Sequence, residues 1–291
     1  MRFILFYILF LSCATEIIPG DDSRQDTIVS VLTWNVQNFP KYGFETAQNL
    51  TNILSDLDFD IIAFQEVYDC DEFEDLSNSD SSWEFLCESS YSNNELDFGG
   101  LAYLYNNQTV QLESYYTHTI AGSPRDMLIA TFVHMEKDTL HVMNNHFKCC
   151  GDGILDYNNL RDEEFRRLSS MNAIKNYIDT NYNDENVIIL GDLNDEIHET
   201  ENNVFMNMIN DSLSYHITDM PIAQGSPIYW SYPSWPSHLD HIIITNELFD
   251  FFDASVGINT ILVESYFDDN LYEYRQTISD HRPVLLELNF D

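Results

Sequence analysis

Carboxylates, imidazoles and amides recur at one kind of place in this chain, the end of a short apolar run. Asn35 follows the first such run, Glu66 ends Ile61–Gln65, and His146 ends Leu140–Asn145. Asp192 and Asn194 follow Val187–Leu190, Asp240 opens a later run, and Asp280-His281 precede the last one. Carboxylate and amide oxygens are hard metal ligands, and imidazoles and carboxylates are acids and bases near neutral pH. The chemistry open to such a set is oxygen-ligand metal chemistry and general acid–base catalysis, provided a rigid sheet aims the side chains into one cleft. Singly, each has an ordinary alternative. An Asp after a strand is commonly a turn or cap residue.

The elements that must do the positioning can be read from the apolar pattern. Strands are predicted at Thr27–Trp34, Asp60–Val67, Gly100–Tyr105, Met127–His134, Leu140–His146, Asn186–Leu190, Leu239–Thr245 and Pro283–Leu288. Helices are predicted at Phe44–Asp56, Glu201–Ser212 and Leu160–Asp179, the last with Phe165, Leu168, Met171, Ile174 and Ile178 at helical spacing. Strands mixed with helices predict an α/β fold with mixed sheets. No linker interrupts the chain after Asp26, so residues 27–291 are expected to form one domain.

Charge limits the partners. The 291 residues carry 12 Lys plus Arg against 49 Asp plus Glu, a formal net charge of −37. A basic face that grips long nucleic acid is thereby excluded, and so is an electrostatic anchor on anionic lipid. Phosphoester chemistry is not, because a divalent metal can supply positive charge locally. Residues 42–124 contain sixteen Asp or Glu and no Lys or Arg. This stretch reads as solvated surface. Its Asp69–Asp97 part is expected to be a long loop with a short helix near Trp83–Cys87, where a structural Ca²⁺ could sit, although no EF-hand spacing occurs. Five of the twelve basic residues, Lys148, Arg161, Arg166, Arg167 and Lys175, fall in 148–175. If they converge, they form a place for phosphate.

Residues 1–12 read as a secretory signal: one basic residue, an apolar run too short to span a bilayer, then small residues. Leu11-Ser12-Cys13 resembles a lipoprotein cleavage site, which would leave Cys13 lipidated. Ordinary cleavage near Ala14 is the alternative. Residues 13–26 read as a polar tether. The expected location is extracytoplasmic, secreted or in the cell envelope, with membrane contact only through a lipid anchor. That setting permits disulfides. A bridge between adjacent Cys149 and Cys150 would be strained, so each is expected to pair with Cys70 or Cys87. The cysteine spacing does not fit zinc.

Read in order, Trp34-Asn35-Val36-Gln37-Asn38, Gln65-Glu66, Asn145-His146, Gly191-Asp192-Leu193-Asn194-Asp195, Leu239-Asp240-His241 and Ser279-Asp280-His281-Arg282-Pro283-Val284 resemble the endonuclease/exonuclease/phosphatase superfamily. The likeness is to its deoxyribonuclease-like, secreted bacterial branch and covers about Val29 to Leu288. It implies a four-layered α-β-β-α sandwich, two mixed sheets face to face with helices outside. It further implies Mg²⁺ or Mn²⁺ on Glu66, Asn35 and Asp280, and a monomer. His281 would be the general base with Asp240 fixing its tautomer, and Asp192 is the competing base. Asn194 would donate to a phosphoryl oxygen, and His146 would bind phosphate or protonate the leaving group. Lys148 and Arg161 are candidate phosphate contacts. The chain departs from apurinic endonucleases at Gln37 and His146, and it lacks a clear glutamate behind His146, with Asp97 the one candidate. His134, His141, His238 and His241 have no role in the resemblance.

These features imply metal-dependent hydrolysis of phosphodiesters, with nucleic acid as substrate rather than stable partner. A sphingomyelinase-like enzyme or another small-phosphoester phosphodiesterase or phosphatase is the alternative, and Tyr229–Trp235 could then meet lipid. That aromatic run is otherwise expected to pack in the core or stack a base. A catalytically inactive surface lipoprotein is the reading from another class.

Overall fold

The computed structural model describes residues 27–88, 99–135 and 137–291. The signal, the tether, Cys13 and Asp97 lie outside the described residues.

The elements follow one another as β1 (Ile28–Phe39), α1 (Phe44–Asp56), β2 (Ile61–Val67), α2 (Cys70–Ser77), β3 (Trp83–Glu88), β4 (Gly100–Asn106), β5 (Val110–His118), β6 (Met127–His134) and β7 (Asp138–His146). Then come α3 (Glu163–Asn181), β8 (Val187–Asp192), α4 (Met206–Ile209), β9 (Tyr215–Ile217), α5 (Met220–Ala223), β10 (Asp240–Thr245), β11 (Ile258–Thr260), α6 (Leu271–Thr277) and β12 (Val284–Asn289). The strands form two six-stranded sheets, ordered β11-β12-β1-β2-β4-β3 and β5-β6-β7-β8-β10-β9. Both are mixed: β1 and β2 run parallel, as do β7 and β8, while the other pairings are antiparallel.

Alternation along the strands divides the core into three. Val29, Val31, Ile61 and Ala63 of the first sheet meet Leu128, Ala130, Val142, Ile188 and Leu190 of the second. The opposite faces, Leu32, Trp34, Ile62 and Phe64 on one side and Ile129, Met143 and Ile189 on the other, bury under helices. Period-two alternation with both faces apolar is what a sheet needs when it is covered on both sides. The result is the four-layered sandwich.

Several boundaries differ from the sequence prediction. The segment Trp83–Cys87, expected as a helix, is strand β3, paired antiparallel to β4 from Trp83↔Asn106 to Glu88↔Leu101. The helix of this acidic stretch is α2 instead, capped by Asp69, whose side chain accepts the amides of Asp71 and Glu72. Among the described residues, none of the three clusters of metal-ligating side chains falls in this stretch. The helix predicted at Glu201–Ser212 shrinks to α4, because Asn203 turns the chain by donating to the carbonyls of Ile197 and Glu199. The cysteine expectation is corrected as well. Cys70 bonds to Cys87, and Cys149 and Cys150 are free. Cys70 opens α2 and Cys87 lies on β3, with Cα atoms 5.8 Å apart, inside the range a disulfide spans.

Candidate active site

Strand direction gathers the polar residues at one end of the sandwich. His146 and Asp192 end the parallel strands β7 and β8 as direct partners, and Asp240 begins β10 opposite Asp192. Asn35 lies on β1 and Glu66 on β2 of the facing sheet, and Asp280-His281 lead into β12, which pairs with β1. Buried polar bonds tie the two sheets together beneath them. Gln65 Nε2 donates to Asn144 Oδ1 (2.8 Å) and Thr33 Oγ1 (3.0 Å), and Asn144 Nδ2 donates to the Phe64 carbonyl (3.0 Å). Such fully paired buried amides fix the spacing of the layers.

Glu66 reaches the centre because its strand bulges there. The β2–β4 register shifts between Gln65 and Val67, and Glu66 has φ 62°. The left-handed conformation re-aims the side chain, a common use of bulges beside active sites. The residue just before β4, the neighbouring strand, must then be glycine. A Cβ on Gly99, whose φ is 75°, would lie 2.8 Å from Glu66 Cα.

The side chains meet closely. Asn35 Nδ2 donates to Glu66 Oε1 (3.1 Å) and to Asp192 Oδ2 (2.9 Å), and Asn38 N donates to Glu66 Oε2 (3.1 Å). Asn35 therefore turns its NH₂ to the carboxylates, and its carbonyl oxygen accepts from Gln37 N (2.9 Å) rather than facing the centre. Asp280 accepts from Gln37 Nε2 (2.9 Å), so Gln37 links it to the loop that carries Asn35. His146 Nε2 stands 3.4 Å from Asp192 Oδ2 and 3.9 Å from Glu66 Oε1. His281 Nδ1 bonds Asp240 Oδ2 at 2.7 Å, and its Nε2 faces Asp192 Oδ2 at 3.8 Å. Asn194, at φ 55°, donates its backbone N–H to Asp192 Oδ1 (3.1 Å) and its amide to the Phe147 carbonyl (3.3 Å).

Burial and neighbouring charge set the protonation states. Burial pushes the Asp192 carboxyl up to about 7, the charge on His281 opposing and that on Asp240 adding. Burial works against charge on His281, but Asp240 and Asp192 outweigh it and hold the imidazolium up to about 10. Burial pushes His146 well below the usual histidine range, with Arg125 and His281 adding to the effect. His146 is thus neutral, and its buried Nδ1 has no hydrogen-bond partner among the described residues.

The donor set suits a hard divalent cation. Glu66, Asp192, Asp240 and Asp280 offer only oxygens, and buried Asp240 Oδ1 has no hydrogen-bond partner among the described residues. Two carboxylates share one amide at Asn35, an arrangement of like charge that a divalent cation would relieve. Asp192, Asp240 and His281 also present ligand atoms within 4.8 Å of one another.

Beside this centre opens a cleft of about 390 Å³ lined by Asn38, Glu66, Tyr68, Arg125, His146 and Lys148, with Arg166 and Cys149 at its wall. Of the five clustered basic residues, Lys148 and Arg166 reach it. Arg161 is exposed and is not among the cleft-lining residues, and Lys175 pairs with Asp179 and Asp211, both at 2.8 Å. Arg167 is buried. Its Nε bonds Asp195 Oδ2 (2.7 Å), and its Nη1 donates to the carbonyls of Lys148 (2.9 Å) and Cys150 (2.6 Å). It is a clamp on the cleft wall, not a phosphate ligand. Arg167→Met should leave Asp195 and Glu164 buried without their cation and cost about 3–5 kcal/mol, read as a lowered urea midpoint.

Some residues escaped the sequence reading. Arg125 lies outside the basic cluster, yet it lines the cleft and feels the charges of Glu66 and Asp192. Asp219 is fully buried and accepts from His238 Nε2 (3.0 Å), His241 Nδ1 (2.7 Å) and Ile242 N (2.9 Å). His238 and His241 therefore anchor the start of β10 that presents Asp240. Ser231 Oγ accepts the Asp240 N–H (3.1 Å), and Ser279 Oγ donates to the Asn35 carbonyl (2.6 Å) while accepting from His281 N (3.0 Å). Serines in turns carry little sequence signal, so these supports were not legible. The aromatic run is corrected in part: Tyr229 is 46% and Trp235 78% exposed, while the Tyr232 ring lies 4.9 Å from that of His281.

The Endonuclease/Exonuclease/phosphatase family profile matches residues 32–281, and the chain belongs to that family. Its members are phosphoester hydrolases that cleave phosphodiester bonds and use divalent metals. No curated protein matches the chain in sequence. Among solved structures, D. rerio TDP2 complexed with single strand DNA product is 14% identical, with a TM-score of 0.66 and coverage of 90% of this chain and 99% of that one. The human Nocturnin catalytic domain with bound sulfate anion is 18% identical, with a TM-score of 0.64 and coverage of 91% and 95%. A Bacteroides vulgatus endonuclease/exonuclease/phosphatase is 12% identical, with a TM-score of 0.60 and coverage of 91% and 100%. At these identities the likeness speaks for the fold.

Proposed function

We propose that this protein is an extracytoplasmic, divalent-metal-dependent phosphodiesterase acting on nucleic acid. The observation that carries the reading is the convergence of Glu66, Asp192, Asn194, His146 and the Asp240–His281 pair beside a cleft walled by Arg125, Lys148 and Arg166. Cations are scarce in a chain of net charge −37, and three at one cleft favour a polyanion. The bound single-stranded DNA of the D. rerio neighbour is in keeping with this.

Glu66 and Asp280 would hold Mg²⁺ or Mn²⁺. When bound, such a cation neutralises phosphate charge and charge building on the leaving oxygen. Asp192 takes the proton of the attacking water, because burial makes it the more basic carboxyl. His281, oriented and kept charged by Asp240, donates to a phosphoryl oxygen. His146 is neutral and hydrogen-bonds the phosphate on the Glu66 side. Lys148 and Arg125 hold the flanking phosphate.

A second reading rests on the exposed side chains Ile228, Tyr229 and Trp235, which could enter a lipid surface next to the site. The test is a substrate panel of plasmid DNA, RNA, sphingomyelin vesicles and a chromogenic phosphodiester, with Mg²⁺, Mn²⁺ or chelator. Metal-dependent cleavage of DNA or RNA is expected. Turnover of sphingomyelin alone would replace the nuclease reading, and no turnover of any substrate would leave the inactive lipoprotein.

A further inference from the structure

Cys149 and Cys150 sit where the chain leaves β7 and enters the cleft wall, and the catalytic reading assigns them nothing. Both are exposed, with their sulfurs 3.0 Å apart and Cys150 donating to Cys149. A disulfide is about 2.04 Å long, so closure draws the sulfurs about 1 Å nearer, and the strain of a ring between neighbours makes the bond readily reducible. Adjacent thiols rarely approach by accident, because the extended chain points successive side chains to opposite sides.

The backbone that brings them together is held by buried groups. Arg167, 3% exposed, donates one nitrogen to the carbonyls of Lys148 and Cys150, one on each side of the Cys149 unit. Asp195 and Glu164 fix that guanidinium from behind, at 2.7 and 3.3 Å. Cys150 is left-handed at φ 70°, and the next residue must be glycine. A Cβ on Gly151, with φ 114°, would lie 2.2 Å from the Glu164 carboxylate. The tight turn is therefore imposed on the pair by its surroundings. Lys148 Nζ stands 3.6 Å from Cys149 Sγ.

We infer that Cys149–Cys150 is a modification site, a vicinal dithiol that a low-molecular-weight disulfide oxidises to an eight-membered disulfide ring on the wall of the cleft. The Cys149 thiolate attacks one sulfur of the reagent RSSR, forming a mixed disulfide and releasing RS⁻. The Cys150 thiolate then attacks Cys149 Sγ, forming the ring bond and releasing the second RS⁻. Two thiols are oxidised, one disulfide is reduced, and the two protons end on the released thiols. The inference concerns thiol chemistry alone and stands whichever phosphoester the site cleaves.

The test treats the folded protein with oxidised glutathione, alkylates it, and maps the peptide that carries both cysteines by mass spectrometry. This mapping separates the pair from the Cys70–Cys87 bridge. The expected result is loss of alkylation at both positions, a mass lower by two hydrogens with no glutathione attached, and recovery on reduction. Cys150→Ser should stop at a stable glutathione adduct on Cys149. The inference is overturned if both thiols alkylate as fully after the oxidant as before it. A lasting glutathione adduct on the wild-type pair would overturn it equally.

Discussion

Glu66→Gln is expected to lower metal-dependent phosphodiester cleavage by about a thousandfold or more while leaving the fold intact. The substitution keeps the shape of the side chain and an oxygen that can accept from Asn38 N, but it removes the charge. A metal ion contributes several kcal/mol of transition-state stabilisation, and about 4 kcal/mol corresponds to three decades in rate. The fold should tolerate the change. The Glu66 side chain is 22% exposed, the bulge that aims it is backbone, and the core beneath is held by Gln65 and Asn144. Two measurements make the prediction specific. The apparent metal affinity should weaken along with kcat/KM, and the thermal midpoint in chelator should match the wild type. Undiminished turnover at saturating Mg²⁺ would remove Glu66 from the metal site and with it the proposed mechanism.

How much of this site could be seen beforehand depended on what each residue needs. Asp192, Asp240 and His281 stand next to apolar runs, so the period-two pattern that revealed β8, β10 and β12 also placed them at strand ends. Glu66 was placed by the same logic, although its projection depends on a bulge that no periodicity encodes. Arg125 was missed because it lies on a loop before β6, brought to the cleft by sheet order rather than by sequence neighbourhood. The role of Arg167 is hidden for a related reason. Its helical position among other basic residues suggested a ligand, whereas burial against Asp195 makes it a clamp. β5 escaped since most of its side chains are exposed at a sheet edge, and a register shift between Leu112 and Ser114 breaks the alternation. The cysteine pairing was not legible because cysteine spacing does not show which elements lie side by side. Cys70 and Cys87 lie on adjacent elements of one sheet region, and Cys149–Cys150 belong to the other sheet's loop.

Asp240→Asn should lower kcat by about 10² to 10³, the scale of losing one preorganised donor to the charge that builds on a reacting oxygen. Asp240 is fully buried, its N–H is held by Ser231, and its Oδ2 takes His281 Nδ1 at 2.7 Å. An asparagine there keeps the shape of the side chain but removes the charge that holds the imidazolium, so His281 meets the phosphoryl oxygen as a neutral donor. The charge effect is separable from an orientation effect by titration. The His281 imidazolium is held up to about 10 against burial, with Asp240 the foremost raising charge and Asp192 the next. Losing Asp240 therefore lowers it. In the unfolded chain a histidine titrates near 6.5. Between about 6.5 and 10 the native metal-free protein holds a proton that the unfolded chain has lost, so this group's contribution to stability is full below about 6.5 and disappears as pH rises through about 10. The wild-type protein in chelator should thus lose denaturation midpoint over that window, and Asp240→Asn should lose less of it. NMR titration of the His281 ring gives the direct reading. A variant with a full loss of kcat but an unchanged His281 titration would mean that Asp240 acts by orientation alone. Unchanged kcat and unchanged titration together would show that the pair has no part in the chemistry.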